Sequence, residues 1–268
     1  MKNARTFGQL RFITRLFAVV ATLLTFPCPS LAQINVLISG GFSSAYNQVL
    51  PEFEKTTGIT VTTGSGASQG TGPQTIAAQL QRGVPADVVI LSREGLAELV
   101  AAGRIVPGTD VDLARAALGV AVRTGAPKPD IGSVEALKRT LVNAKTIVVP
   151  GSTSGIYLTT KLFPQLGIDD RITVKVTERG AQAAAMVATG DADIVIQPVS
   201  ELMNVAGVEV VGRVPNELQL IQTFAAGIVV GSTQPDASKR LIEFLASGRA
   251  VAAIERNGMD AAKKGANH

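Results

Sequence analysis

The stretch Gly83-Val-Pro-Ala-Asp87-Val-Val-Ile-Leu91-Ser-Arg93 decides the fold. It begins with a turn built on Gly and Pro and continues as the predicted strand Asp87–Leu91, whose last four residues are all apolar. An apolar run of this kind is typical of a parallel strand that helices cover on both faces. The segment that follows, Arg93–Ala101, predicts a helix. The stretch is therefore interpreted as one βα unit of an α/β sheet.

The same alternation of strand and helix continues along the chain. Other short apolar runs, bounded by Gly or Pro, predict strands at Asn35–Ser39, Ile59–Thr63, Leu118–Val122, Thr146–Val149, Thr173–Val176, Asp193–Gln197 and Phe224–Val230. Helices are predicted between them, at Ser44–Thr56, Gln74–Gln81, Val134–Asn143, Gly155–Leu166, Ala181–Ala188 and Asp236–Ala246. We therefore expect an α/β chain with doubly wound sheets.

Residues 1–32 have the organisation of a secretory signal peptide. Four basic residues and no acidic one precede the apolar run Leu16–Phe26, and Ser30 and Ala32 are the small residues that a signal peptidase requires. The run is too short to span a membrane, and Pro27 before Cys28 is a poor context for a lipid anchor. We expect cleavage after Ala32, a periplasmic location and no membrane insertion of the mature protein.

Removal of that leader changes the charge balance. The chain of 268 residues has 25 Lys+Arg against 21 Asp+Glu, whereas the part after Ala32 has 21 of each, so its net charge is zero. Nucleic-acid binding thus loses its main electrostatic argument. The mature part has no cysteine and a single histidine, His268, which excludes disulfides, cysteine nucleophiles, Ser-His-Asp triads and the usual zinc sites. We expect neither a metal nor a cofactor.

Four strand-to-helix junctions are rich in Gly, Ser and Thr: Ser39–Ser44, Gly64–Thr71, Pro150–Gly155 and Thr177–Gly180. In open α/β sheets such junctions lie at the carboxyl ends of strands, and each offers free N–H groups and a positive helix end to an anion. Ser and Gly are also ordinary helix caps, so an anion cleft and a purely structural role both remain open. The glycines match neither a dinucleotide fingerprint nor a phosphate loop, which would need a lysine after them.

Five side chains near these junctions are candidates for ligand contact. Arg93 follows a strand directly, and Glu178-Arg179 ends another strand before a helix of small residues. Gln197 is polar at the end of an apolar run and should reach a partner, for which we favour a ligand. Tyr157 either donates its hydroxyl to a cleft or packs in the core. A solvated Arg93 and a surface ion pair of Glu178 with Arg179 are the structural alternatives.

Taken together, these residues resemble the periplasmic type II solute-binding proteins of the molybdate-binding family. The resemblance runs from about Ile34 to Met259, and it is carried by Gly40-Gly41-Phe42, Phe53-Glu-Lys-Thr-Thr-Gly58, Gly83-Val-Pro-Ala-Asp87, Ser154-Gly155-Ile-Tyr157 and Arg256-Asn-Gly258. It implies two α/β lobes that close on a ligand cleft between them. Lobe I would comprise residues 33–116 and 233–268, and lobe II residues 117–232.

The same resemblance implies which loops contact the ligand. They correspond to Ser39–Gly41, Ala67–Gln69, Ser152–Ser154, the region of Glu178 and the strand end at Ile196–Gln197. Molybdate binders tend to have Ala-Ala-Ser where this chain has Ser39-Gly40-Gly41, and a tyrosine where it has Ile196. The negative charge of Glu178 would also oppose a dehydrated oxyanion. These departures favour a small polycarboxylate as the ligand.

Gly40-Gly41-Phe42, Ala126-Pro-Lys-Pro-Asp-Ile131 and Gln197-Pro-Val-Ser-Glu-Leu202 are more similar to the aconitate isomerase branch of this family. That branch implies cis/trans-aconitate interconversion by an allylic proton shift, and we assign the base to Glu178. The expected substrate contacts are Ser39, Gly40, Gly41, Ser43, Ser68, Gln69, Arg93, Ser152, Ser154, Tyr157, Arg179 and Gln197. The alternative is a non-catalytic protein that delivers molybdate or another small anion to an ABC permease.

Overall fold

The strand Val88–Ser92 (β3) lies in the middle of the first sheet, and all five of its residues are buried. In the computed structural model, which describes residues 32–262, this sheet has the strand order β2-β1-β3-β9-β4. β1 (Gln33–Ile38) is parallel to β2 (Thr60–Ser65) and to β3. β9 (Ile221–Ile228) is antiparallel to both β3 and β4 (Val111–Arg123).

The long strand β4 passes from the first sheet into the second. Its first half pairs with β9 and with β10 (Met259–Ala261), and its second half pairs with β7 (Ile194–Pro198) and β8 (Val208–Arg213). The second sheet continues from β7 through β5 (Ile147–Pro150) to β6 (Val174–Thr177), all parallel to one another. β4 therefore joins two α/β lobes, one around each sheet.

Helices cover both faces of each sheet, and an apolar core lies between the helices and the sheet on each face. The helices are α1 (Gly40–Thr57), α2 (Ile76–Gln81), α3 (Arg93–Ala101), α4 (Val134–Asn143), α5 (Thr153–Tyr157), α6 (Phe163–Leu166), α7 (Gly180–Thr189), α8 (Pro235–Leu245) and α9 (Gly248–Arg256). A π-helical turn, Leu158–Leu162, joins α5 to α6, and two short 3₁₀ turns lie at Val199–Glu201 and Asn216–Leu218.

The predicted α/β fold with two lobes is confirmed. The strand pairing also shows the directions of the strands, which local sequence patterns do not encode. The sheets are mixed rather than wholly parallel, because β9 and β4 run against their neighbours. The predicted strand Leu118–Val122 is only the second half of β4, and β8, β10 and α9 were not predicted. The lobe boundaries remain a prediction; β9, within the range assigned to lobe II, pairs with β3 in the first sheet.

The predicted signal peptide lies outside the described residues, apart from Ala32, as does His268. Among residues 32–262, no helix is both long and apolar enough to cross a membrane. Within the same range, no three His, Cys, Asp or Glu side chains are grouped so that they could hold a metal ion.

Candidate functional site

The Gly- and Ser-rich junctions converge on a small cavity between the two lobes. Its lining comes from both sheets: Ser39, Gly40, Gly66, Ala67, Ser68 and Gln222 from the first lobe, and Pro150, Ser152, Ser154, Arg179, Gly180, Ala181, Pro198 and Glu201 from the second. A wider groove elsewhere, lined by Arg123, Lys145 and Asp193, receives none of the four predicted junctions.

The serines that precede helices at this cavity do not cap them. Ser39 before α1 and Ser152 before α5 make no side-chain hydrogen bond to the helix that they precede. Four Ser or Thr residues that precede helices without lining the cavity do accept from a helix N–H: Thr75, Ser92, Ser133 and Ser247. The first-turn N–H groups of α1 therefore remain available to an anion, and its partial positive charge adds to the attraction.

Several buried polar atoms around the cavity have no hydrogen-bond partner among residues 32–262. Ser39 Oγ and Gln222 Oε1 belong to lining residues, and Gln197 Oε1 and Ser200 Oγ lie in the strand and turn beneath them. Leaving such a group unpaired costs about 1–3 kcal/mol. Native structures rarely tolerate this without a reason. For Ser39 and Gln222, which line the cavity, binding of a polar ligand there would be such a reason.

Arg179 and Glu201 are the two charged residues among those that line the cavity. Burial of the Glu201 carboxyl raises its pKa from 4.5 to about 7, although the positive charge of Arg179 acts in the opposite direction. No hydrogen bond joins this carboxyl to any residue in the described part of the chain. The cavity thus contains one cation and one carboxyl group whose proton is exchangeable near neutral pH.

Direct contacts between the lobes close the cavity on one side. The hydroxyls of Ser92 and Thr153 are 2.7 Å apart and buried, and Arg179 Nη1 donates to Ser65 Oγ at 2.8 Å. The Gln69 N–H donates to Ser152 Oγ at 3.3 Å. Each bond joins a residue of the first lobe to one of the second, so the structure has the lobes closed.

Six of the predicted ligand contacts line the cavity together: Ser39, Gly40, Ser68, Ser152, Ser154 and Arg179. Gln69 lies at the contact between the lobes, and its side chain donates to Glu98. Gln197 is fully buried next to the cavity, where its Nε2 donates to the Glu201 carbonyl at 3.1 Å. The amide nitrogen of Gln197 thus has a protein partner in the turn that carries Glu201, and its predicted contact with a ligand stays a prediction.

Arg93 and Tyr157 do not line the cavity. Arg93 forms ion pairs with Asp110 and Asp112, which the pairing of β4 brings to it. The Tyr157 hydroxyl donates to the Leu218 carbonyl at 3.0 Å, and its ring packs against the core of the second lobe. Each side chain already has protein partners, and the expectation that these two contact the ligand stays a prediction.

Gly41, Ser43 and Glu178 also lie outside the lining. A Cβ on Gly41 would lie 1.9 Å from the Phe224 ring, so this glycine lets α1 approach β9. Ser43 Oγ donates to the Gly40 carbonyl within α1. Glu178 is exposed. Its carboxyl lies near Gly72, and its predicted role as the base remains a prediction.

Two lining residues with polar side chains were not predicted as ligand contacts, Glu201 and Gln222. Gln222 is a buried polar residue in the apolar strand β9, the same signal that singled out Gln197. Glu201 belongs to the segment Gln197–Leu202, but nothing in its local pattern distinguishes it from a glutamate in an exposed turn.

Comparison with known proteins agrees with this architecture. Residues 34–260 match the family described as bacterial extracellular solute-binding protein. An aconitate isomerase of Pseudomonas sp is 37% identical over 227 residues, which cover 84% of this chain and 87% of that protein.

Two solved structures with the same fold are periplasmic or anion-binding proteins. The periplasmic molybdate-binding protein of Azotobacter vinelandii has a TM-score of 0.66 at 20% identity, over 86% of this chain and 100% of that one. The sulfate-binding protein SubI of Mycobacterium tuberculosis H37Rv has a TM-score of 0.65 at 21% identity, over 87% of this chain and 88% of that one. At these identities the structures bear on the fold alone. Because the family match covers nearly all of the described residues, the chain belongs to the bacterial extracellular solute-binding protein family.

Proposed function

We propose that this protein is a cofactor-independent isomerase that binds aconitate between its lobes and interconverts the cis and trans forms. The observation that carries the proposal is the carboxyl group of Glu201 inside a cavity otherwise built to attract anions. A receptor for a dehydrated oxyanion gains nothing from such a group, whereas proton transfer requires one. The similarity to an aconitate isomerase over most of the chain supports the same reaction.

The binding groups suit a tricarboxylate. Arg179 can form a bidentate contact with one carboxylate, because the guanidinium group matches carboxylate geometry. The N-termini of α1 and α7 offer backbone N–H groups to others, and the hydroxyls of Ser39, Ser68 and Ser154 add further donors. These donors come from both lobes, so binding favours the closed arrangement.

The reaction itself is a 1,3-proton shift. A base takes a proton from the methylene carbon of aconitate, and the electron pair of that C–H bond spreads over the allylic system and its carboxylates. A proton returned to the other end of the system moves the double bond and yields the isomer. Donors aimed at the substrate carboxylates lower the energy of the anionic intermediate, and no oxidation occurs.

The alternative function is delivery of a small anion to an ABC permease. The family description and the binding proteins among the structural neighbours favour a binding role. The same cavity would then hold the solute, and the closed lobes would be the form that a permease recognises. In either case we place the mature protein in the periplasm, after cleavage of the signal peptide between Ala32 and Gln33. The mass of the secreted protein tests this cleavage site.

Proton NMR of the purified protein with cis-aconitate in deuterated buffer separates the two functions. Formation of trans-aconitate, or deuterium in the recovered substrate, supports the isomerase. If neither occurs while citrate or molybdate raises the melting temperature, the protein is a receptor, because a ligand that binds only the folded state stabilises it.

A further inference from the structure

Glu201 reaches the cavity through a space that two glycines leave open. It ends the 3₁₀ turn Val199–Glu201, which follows β7 directly. A Cβ on Gly180, the first residue of α7, would lie 1.7 Å from Glu201 Oε2. A Cβ on Gly40, the first residue of α1, would lie 3.0 Å from Glu201 Oε1. The carboxyl therefore lies between the N-termini of two helices, one from each lobe.

The surroundings of this carboxyl suit proton transfer rather than a structural role. A structural carboxylate would be paired, but no described residue hydrogen-bonds to it. Burial raises its pKa to about 7, so the carboxylate form is a stronger base than an ordinary glutamate, and both protonation states are accessible near neutral pH. The nearby N–H groups of α1 and α7 also lie where an anionic intermediate would form.

Glu178 lacks these properties. It precedes Arg179 in the same junction, but its side chain is exposed and does not line the cavity. A Cβ on Gly72 of the first lobe would lie 3.9 Å from Glu178 Oε1. Water has free access to that position, whereas a base that acts on a C–H bond works best where water is excluded.

We propose that Glu201, rather than Glu178, carries the proton between the two carbons of the allylic system, an inference that rests on the proposed isomerase function. The Glu201 carboxylate takes the proton from the methylene carbon and becomes a carboxylic acid. The electron pair of that C–H bond joins the old double bond in an allylic anion over three carbons. When the opposite carbon is protonated, the old π electrons form the new C–H bond and the former C–H pair becomes the new double bond. The same carboxylic acid then gives a proton to the opposite carbon, which regenerates the carboxylate, so no other reactant is consumed.

The test compares Glu201→Gln with Glu178→Gln and wild type in the NMR assay of cis-aconitate conversion, with the binding of propane-1,2,3-tricarboxylate as a second readout. This probe has three carboxylates and no double bond, so it reports binding without turnover. We expect Glu201→Gln to lower kcat by at least about 100-fold, the size of a lost general base, while binding the probe. Glu178→Gln should stay within about threefold of the wild-type kcat, since its carboxyl takes no part in that proton transfer.

The outcomes separate the two proposals. Inactive wild type overturns the isomerase function and the assignment with it. Active wild type together with an active Glu201→Gln, or an inactive Glu178→Gln that still binds the probe, overturns the assignment alone. If Glu201→Gln does not fold, the pH profile of the wild-type kcat decides instead. We expect an ascending limb at or above pH 7, because bound substrate adds negative charge; a flat profile between pH 5 and 9 contradicts the assignment.

Discussion

Replacement of Gly180 by alanine should lower the catalytic activity without lowering the stability of the fold. The new methyl group would lie 1.7 Å from Glu201 Oε2 and 2.9 Å from Glu201 Cδ, and contacts below 3.0 Å essentially never occur. The carboxyl must therefore move by more than about one ångström, and a displacement of that size at a reacting group costs on the order of 100-fold in rate. A 100-fold lower kcat corresponds to about 2.7 kcal/mol of activation free energy.

Folding should not suffer from the same substitution. The obstacle is the end of a flexible side chain rather than backbone, so the carboxyl can turn aside. Alanine also favours the helix over glycine by up to about 1 kcal/mol. We expect the melting temperature to stay level or rise while conversion of cis-aconitate, followed by NMR, falls.

Two other glycines at the first position of a helix provide matched controls. Gly248 begins α9, and a Cβ added to it would meet no atom within 4 Å, so Gly248→Ala should leave kcat unchanged. Gly40 begins α1, and its Cβ would lie 3.0 Å from Glu201 Oε1, a contact that a small shift relieves. The loss of kcat should therefore increase from Gly248→Ala through Gly40→Ala to Gly180→Ala. A Gly180→Ala protein within about threefold of the wild-type rate would refute the reasoning.

Three further predictions follow from contacts at and near the cavity. Thr153→Val removes the buried bond to Ser92 between the lobes, and the loss of about 1 kcal/mol should weaken tricarboxylate binding about fivefold in calorimetry. Arg93→Gln should leave that affinity unchanged because Arg93 pairs with aspartates, whereas Arg179→Gln should lower it at least about tenfold through loss of a charged contact. Burial raises the pKa of Glu201 to about 7, so the folded state holds this proton more tightly than the unfolded state does. The free energy of unfolding should therefore fall by on the order of 3 kcal/mol as the pH rises from 4.5 through 7, and Glu201→Gln should abolish that part of the dependence in thermal denaturation.

The sequence predicts those parts of the fold that local patterns determine. β3 is an apolar run in the sequence and a fully buried strand in the structure, and α3 begins at the predicted Arg93. The direction of β9 and the passage of β4 between the sheets depend on which distant segments pair. Periodicity within one segment carries no information on that choice, so an α/β pattern was interpreted as uniformly parallel.

The residues of the site also differ in whether local sequence patterns could predict them. Ser39, Ser68, Ser152 and Ser154 were predicted because junctions after parallel strands meet at one edge. Arg93 does not line the cavity but pairs with Asp110 and Asp112, which reach it only through the sheet. Such a partner decides whether a charged side chain is available to a ligand, and it cannot be read from the spacing of residues around Arg93.

Glu201 was missed for a related reason, and that reason bears on how a solute-binding fold can perform chemistry. The turn that carries it offers no local signal, because its burial comes from α1 in one lobe and α7 in the other. A carboxyl in that position repels a dehydrated anion when charged, but serves as base and then acid when the ligand presents a C–H bond. Closure of the lobes removes water from the same carboxyl and keeps its proton exchangeable near neutral pH. A movement that in a receptor only retains the ligand would thus, in this protein, also activate the base.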